Sequence, residues 1–160
     1  IIDGNGHVLM ARMPPAARFF RKMVARHGLK FLLLSNQIVL SSVVVKKSIL
    51  GELRYDEDDF MHAVEDYGLW LNIAKSHKNE LSYLDLPLTL YRKHTLGISA
   101  NYTMGRVRAI YCIAKFYLGQ KKLLHPLWGA AGCVLRIGKT TVEIVETRLA
   151  GFLVGGMKQR

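Results

Sequence analysis

The sequence predicts an α/β layer over residues 1–100 and a basic helical extension over residues 101–160. Three observations carry this. In the first part, segments with apolar residues at helical spacing stand beside runs of strand character, and helix next to extended chain argues for an α/β layer. Beyond Ser99 only the helical spacing remains. The charge changes at the same place: residues 1–100 hold 13 Lys/Arg against 10 Asp/Glu, and residues 101–160 hold 10 against Glu143 and Glu146 alone.

Each element follows from its residues. Ile1-Ile2-Asp3-Gly4-Asn5-Gly6 reads as a strand end entering a glycine-rich turn, so the domain is expected to begin ahead of Ile1. Ala16 to His27 places Phe19, Phe20, Met23 and Val24 on one side and most of its basic residues on others. It is an amphipathic helix, started by Pro14-Pro15 and stopped at Gly28. Ile38 to Val45 is rich in β-branched residues and reads as a buried strand, with Ser41-Ser42 in its middle. Gly51 to Phe60 is a loop carrying the acidic run Asp56-Glu57-Asp58-Asp59. Glu65 to His77 is a helix whose inward stripe is Leu69, Trp70, Ile73, Ala74 and His77. Leu81–Leu84 and Leu86–Lys93 are extended runs divided by Pro87. Three helices are expected after Ser99: Met104–Leu118, Leu123–Arg136 and Thr140–Val154, with Gly119, Gly138 and Gly155-Gly156 as stops.

Composition narrows the function classes. The net charge of +11 resides mostly in the extension, which favours anionic surfaces such as phospholipid headgroups or nucleic acid; a solvated basic face is the plainer reading. Interleaved surface aromatics and reader motifs are missing, which argues against nucleic acid. No stretch reaches the ~18 apolar residues of a spanning helix. Cys112 and Cys133 lack metal-ligand spacing and read as buried free thiols, in keeping with a reducing compartment. There is no Walker loop, no GxGxxG and no GxSxG, and the histidines show no paired-ligand spacing.

Two constellations remain. Asp66 lies three and four residues before Leu69 and Trp70, so it shares their face one turn nearer the helix start. That aims its carboxylate at the core edge, where partial desolvation would suit a general base. Glu65 falls about 100° away around the helix. First-turn acids also stabilise the helix dipole by ~0.3–1 kcal/mol without any other role. In the second constellation, Leu88, Leu90, Arg92 and His94 share one face of an extended run. An arginine leaving an apolar row meets a carboxylate or a phosphate, and a histidine beside it can ligate metal or donate to phosphate. A structural arginine with a surface histidine satisfies the same pattern. Asp56-Glu57-Asp58 matches Asp-x-Asp in form, but its loop setting favours a solvated acidic run.

In order along the chain stand Ser41-Ser42-Val43, Lys46-Lys47, Leu50-Gly51, Tyr55-Asp56-Glu57, Glu65-Asp66-Tyr67 with Leu69-Trp70-Leu71, Pro87-Leu88, Tyr91-Arg92-x-His94 and Ile98-Ser99. The series resembles the C-terminal half of a family 2 glycosyltransferase over residues 30–100, with weaker similarity back to Asp3. The resemblance implies a partial GT-A domain, a Rossmann-like nucleotide-diphospho-sugar transferase lacking its N-terminal nucleotide-binding half. It implies inverting transfer from a nucleotide-sugar to an acceptor hydroxyl. Asp66 would be the base, with Glu65 beside it. Arg92 and His94 would face the donor diphosphate, His94 also as a metal contact. Asn36, Ser41, Ser42 and Trp70 would lie on the acceptor side. A divalent metal, Mg or Mn, would be held mostly by the part ahead of residue 1, so the fragment alone is expected to be inactive. Gly68 and Asn72 depart from the family pattern, where a larger residue and an arginine are usual.

The extension resembles the membrane-apposed helices of transferases that act on lipid-linked acceptors. The implied partners are a nucleotide-sugar, a saccharide or lipid-linked acceptor in cell-envelope polysaccharide synthesis, and a membrane touched peripherally through 101–160. The implied location is cytoplasmic, at the inner face of the plasma membrane. The alternative is a non-catalytic, truncated or degenerate module that binds saccharide or protein.

Overall fold

A computed structural model describes residues 1–9, 14–78, 80–92, 102–120 and 125–157, with the backbone alone at 102 and 142–157. Six helices account for the order seen: α1 Pro15–His27, α2 Leu29–Leu34, α3 Lys47–Leu50, α4 Glu65–Ser76, α5 Tyr102–Leu118 and α6 Pro126–Met157. Single 3₁₀ turns at Leu40–Ser42 and Asp59–Met61 lie between them.

The expected α/β layer is not there. No strand or sheet occurs among the described residues, so the Rossmann-like GT-A assignment is corrected to an all-helical fold. Among the described residues the β pairing is limited to two isolated bridges, Ile2 with Val8 and Ile2 with Arg92. The segment read as a buried strand, Ile38–Val45, turns instead. The Ser42 amide and hydroxyl both donate to the Val39 carbonyl, each at 2.8 Å, and Val44 stands almost fully exposed. Serine hydroxyls compete for the backbone in this way, and here the local bond replaces a ladder. Residues 81–91 form no strand, with a bend at Leu86 where the Leu88 amide donates to the Leu86 carbonyl at 3.0 Å, and Leu84, Leu86, Leu88 and Leu90 are all exposed.

α1 begins as expected, with Pro14 and Pro15 supplying the pre-set φ of a first helical turn. Gly28 then redirects the chain with φ +53 and ψ −118, a conformation open to glycine alone. The chain does not leave the helical layer there. It enters α2, whose Leu29, Leu32 and Leu33 are buried at the centre of the molecule. α4 is buried nearly all round through Tyr67, Leu69, Trp70, Leu71, Ile73 and Ala74. α5 adds Cys112, Ile113 and Phe116 to the same apolar cluster, so the basic extension and the preceding helices share one core.

The two helices expected after Gly119 are one. α6 runs through Gly138, where a Cβ would meet nothing, so an exposed glycine costs it only ~1 kcal/mol and does not stop it. Among the described residues no helix is long and apolar enough to cross a membrane.

Candidate functional site

The site is built at the start of α4. The chain enters through Ala63, a non-glycine residue in the left-handed region at φ +69. That conformation costs roughly 1–2 kcal/mol and persists only where neighbours enforce it. Arg108 of α5 does so by donating from Nη1 to the His62 carbonyl at 2.9 Å. The next residues, Val64 and Glu65, open the helix, and Glu65 and Asp66 occupy its first turn as expected.

Asp66 is partly withdrawn from water. Burial raises its carboxyl above the ordinary 3.8, and the neighbouring Glu65 charge raises it further. The Tyr67 amide and the Trp70 indole N–H oppose this in part. The indole geometry nevertheless falls short of a hydrogen bond, and Trp70 Nε1 is buried with no partner. Glu65 Oε2 and Arg108 Nε are likewise buried and unpartnered. Three polar atoms around one helix start therefore await hydrogen bonds, against the rule that buried polar groups are satisfied.

The helix is held by contacts that the sequence did not foretell. The Tyr67 hydroxyl, fully buried, donates to the Leu32 carbonyl at 2.7 Å. Arg136 of α6, also buried, donates from Nη2 to the Tyr67 hydroxyl at 3.2 Å. Its Nη1 serves the Leu33 and Leu34 carbonyls at 3.3 and 3.1 Å. Arg136 thus closes the C-terminal end of α2, whose last carbonyls lack helical partners. One signal was available: Arg136 is the only charged residue between Pro126 and Gly138. Gly68, where a larger residue was expected, is pressed by Met61 and Cys112; an added Cβ would lie 3.0 Å from Met61 Cε.

The remaining expected residues are placed elsewhere. Asn36 accepts from the Ile38 amide at 3.1 Å, and Asn72 donates to the Gly68 carbonyl at 3.0 Å. Ser41 and Ser42 are exposed in their turn. Arg92 donates to the Gly4 and Asp3 carbonyls at 2.7 and 3.2 Å, so its described bonds hold the N-terminal turn and none reaches α4. His94, and with it the proposed metal contact, lies outside the described residues.

Asp56 and Asp58 do not form a free acidic run. Lys115 Nζ lies 2.8 Å from a carboxylate oxygen of each, and the Tyr111 hydroxyl donates to Asp58 at 2.7 Å. Hydrogen bonds from Lys115 and Tyr111 hold the Asp58 carboxyl down at about 2. The pair fastens the loop to α5, with one of its two negative charges balanced by Lys115. No group of three metal-ligating side chains comes together among the described residues.

No protein-family model, curated protein or solved structure matches the chain. The functional reading therefore rests on the motif series and on the surroundings of Asp66.

Proposed function

We propose that the chain is the acceptor-side part of an inverting glycosyltransferase that uses a nucleotide-sugar. The carrying observation is Asp66: a carboxyl with raised pKa, next to buried polar atoms that lack partners. A base is most effective when its pKa approaches the working pH, and burial beside a second acid moves a carboxyl in that direction. α4 and its neighbouring helices hold Asp66, and no sheet is needed to place it.

In this reading Asp66 takes the proton of an acceptor hydroxyl. The oxygen attacks the anomeric carbon from the face opposite the leaving group. A new C–O bond forms as the bond to the nucleoside diphosphate breaks, and the configuration inverts. Glu65 keeps the Asp66 carboxyl basic through its charge. Donor nucleotide and metal would be held elsewhere in the enzyme. The acceptor is a cell-envelope or lipid-linked saccharide, met at the inner face of the plasma membrane.

In the longer protein that this reading implies, Asp66→Asn should lower transfer by at least ~100-fold, the scale of general base catalysis. Folding should be kept, and stability at neutral pH raised slightly. A raised carboxyl pKa means that ionisation opposes folding; the benefit of the protonated form is complete below 3.8 and lost as pH rises through the folded value. Removing the charge ends that penalty. Transfer surviving in the folded variant would show that Asp66 is not the base. A second reading, a non-catalytic saccharide- or protein-binding module, is favoured by Arg92, whose described bonds are all to backbone carbonyls. It gains if no nucleotide-binding part precedes Ile1 in the gene.

A further inference from the structure

α6 is inside-out between Pro126 and Gly138. Its buried face carries Gly129, Gly132 and the charged Arg136. Gly129 lies against the Tyr117 ring, and Gly132 so close to the Leu33 carbonyl that any side chain would collide with it. Trp128 packs inward against Phe31, but four large aliphatic residues point the other way: Leu127 is 81% exposed, Val134 66%, Leu135 52% and Ile137 55%. A helix standing in water does the reverse, with charges outside and leucines inside. The face is also extended, spanning about 15 Å from Leu127 to Ile137 at 1.5 Å per residue. An open cavity of about 290 Å³ between α5 and α6, lined by Ile110, Ala114, Ala130 and Cys133 among others, continues it, since Ala130 belongs to both.

Charge indicates what covers the face. Lys139 stands exposed at its far end. At the near end is His125, on which burial first, then the charges of Lys30 and Lys78, act to disfavour protonation. The cations at that end are therefore Lys30 and Lys78, beside a neutral His125, and an apolar strip flanked by them and by Lys139, in a segment of net charge +8, complements an anionic phospholipid surface. α6 is not apolar enough to cross a bilayer among its described residues, so it would lie along the surface.

We infer that the Leu127–Ile137 face of α6 docks the protein on anionic phospholipid, with its leucines and valine at the headgroup–acyl boundary and the α5–α6 cavity open to an acyl chain. This gives a surface to the peripheral location proposed above and does not depend on glycosyl transfer.

Flotation of the full chain with vesicles tests it, using phosphatidylcholine alone against phosphatidylcholine with phosphatidylglycerol. The protein should float with the anionic vesicles and much less with the neutral ones, with binding weakened by salt. Leu127→Glu and Val134→Glu, both at exposed positions, should each lower the partition about tenfold or more. Phe19→Ser, an exposed apolar change on α1, should leave it unaltered. Circular dichroism confirms that each variant folds, and two independent positions guard against a misfolded one. Wild-type protein that stays with the neutral supernatant, or folded variants that float equally well, would overturn the inference. So would a protein that is dimeric without vesicles and becomes monomeric on Val134→Glu, because a second copy would then cover the face. Failure here leaves the Asp66 proposal standing, since no transfer is measured.

Discussion

Arg136 should be the most costly single charge to remove from this protein. It is a buried cation with no carboxylate partner among the described residues, held by the Leu33, Leu34 and Gly132 carbonyls and the Tyr67 hydroxyl. Arg136→Met keeps the stem and removes the donors. Four acceptors, the Gly132 carbonyl included, then lose a charged partner, and the three carbonyls cannot be replaced by apolar groups as a side-chain partner could. Hydrogen bonds to charged groups contribute roughly 1.5–3 kcal/mol each, but bonds within one network do not add. The desolvation of the guanidinium, which Met avoids, offsets part of the loss. A net destabilisation of about 3 kcal/mol follows. Tyr67→Phe leaves the Leu32 carbonyl and one Arg136 N–H unpaired, for about 1–3 kcal/mol. Because the two side chains share a bond, the double variant should fall short of the sum by about 1 kcal/mol. Urea unfolding followed by circular dichroism measures all four proteins. Arg136→Met within about 0.5 kcal/mol of wild type would refute the reasoning and place Arg136 in solvent.

Two further outcomes follow from close contacts. Lys115→Met should remove the acid-sensitive part of stability that Asp58 supplies. The depressed Asp58 carboxyl contributes above 3.8 and loses its contribution as pH falls through about 2. Acid titrations of unfolding should therefore be flatter over that window in the variant than in wild type. Gly132→Ala puts a Cβ 2.0 Å from the Leu33 carbonyl oxygen, so backbone must move. It should destabilise by about 1–3 kcal/mol or more in the same urea assay, whereas Gly138→Ala, in open space, should stabilise α6 by up to ~1 kcal/mol.

The helical part of the fold was legible where the spacing was long and amphipathic. α1, α4 and α5 lie within a residue or two of their expected limits. α2 was missed because six residues, Leu29–Leu34, are too few for a period to show; Gly28 does stop α1 as expected, but the chain turns there straight into a second helix. Ile38–Val45 misled through its β-branched composition. Such residues fit a pleated surface, but with no neighbouring strand the Ser42 hydroxyl bond to Val39 decided the local shape. Gly138 misled in the opposite sense, since a solvent-facing glycine weakens a helix without ending it.

The site divides in the same way. The helical offset from Asp66 to Trp70 did place a carboxylate at the core edge, because that offset is fixed by local geometry. The Tyr67–Arg136 support was invisible because it joins residues 69 apart in sequence. The bonds of Arg92 to Asp3 and Gly4 span the length of the first hundred residues and could not be read from alternation.

The carboxyl of Asp66 is the place to measure. Carbon-13 NMR titration of the Asp side chains in the chain itself, with Asp66→Asn to assign the signal, reads its ionisation directly. A midpoint clearly above 3.8, shifting downward when Glu65→Gln removes the neighbouring charge, is the predicted result. A midpoint at or below 3.8 would mean an ordinary first-turn carboxylate that stabilises the α4 dipole, and would contradict its assignment as a base.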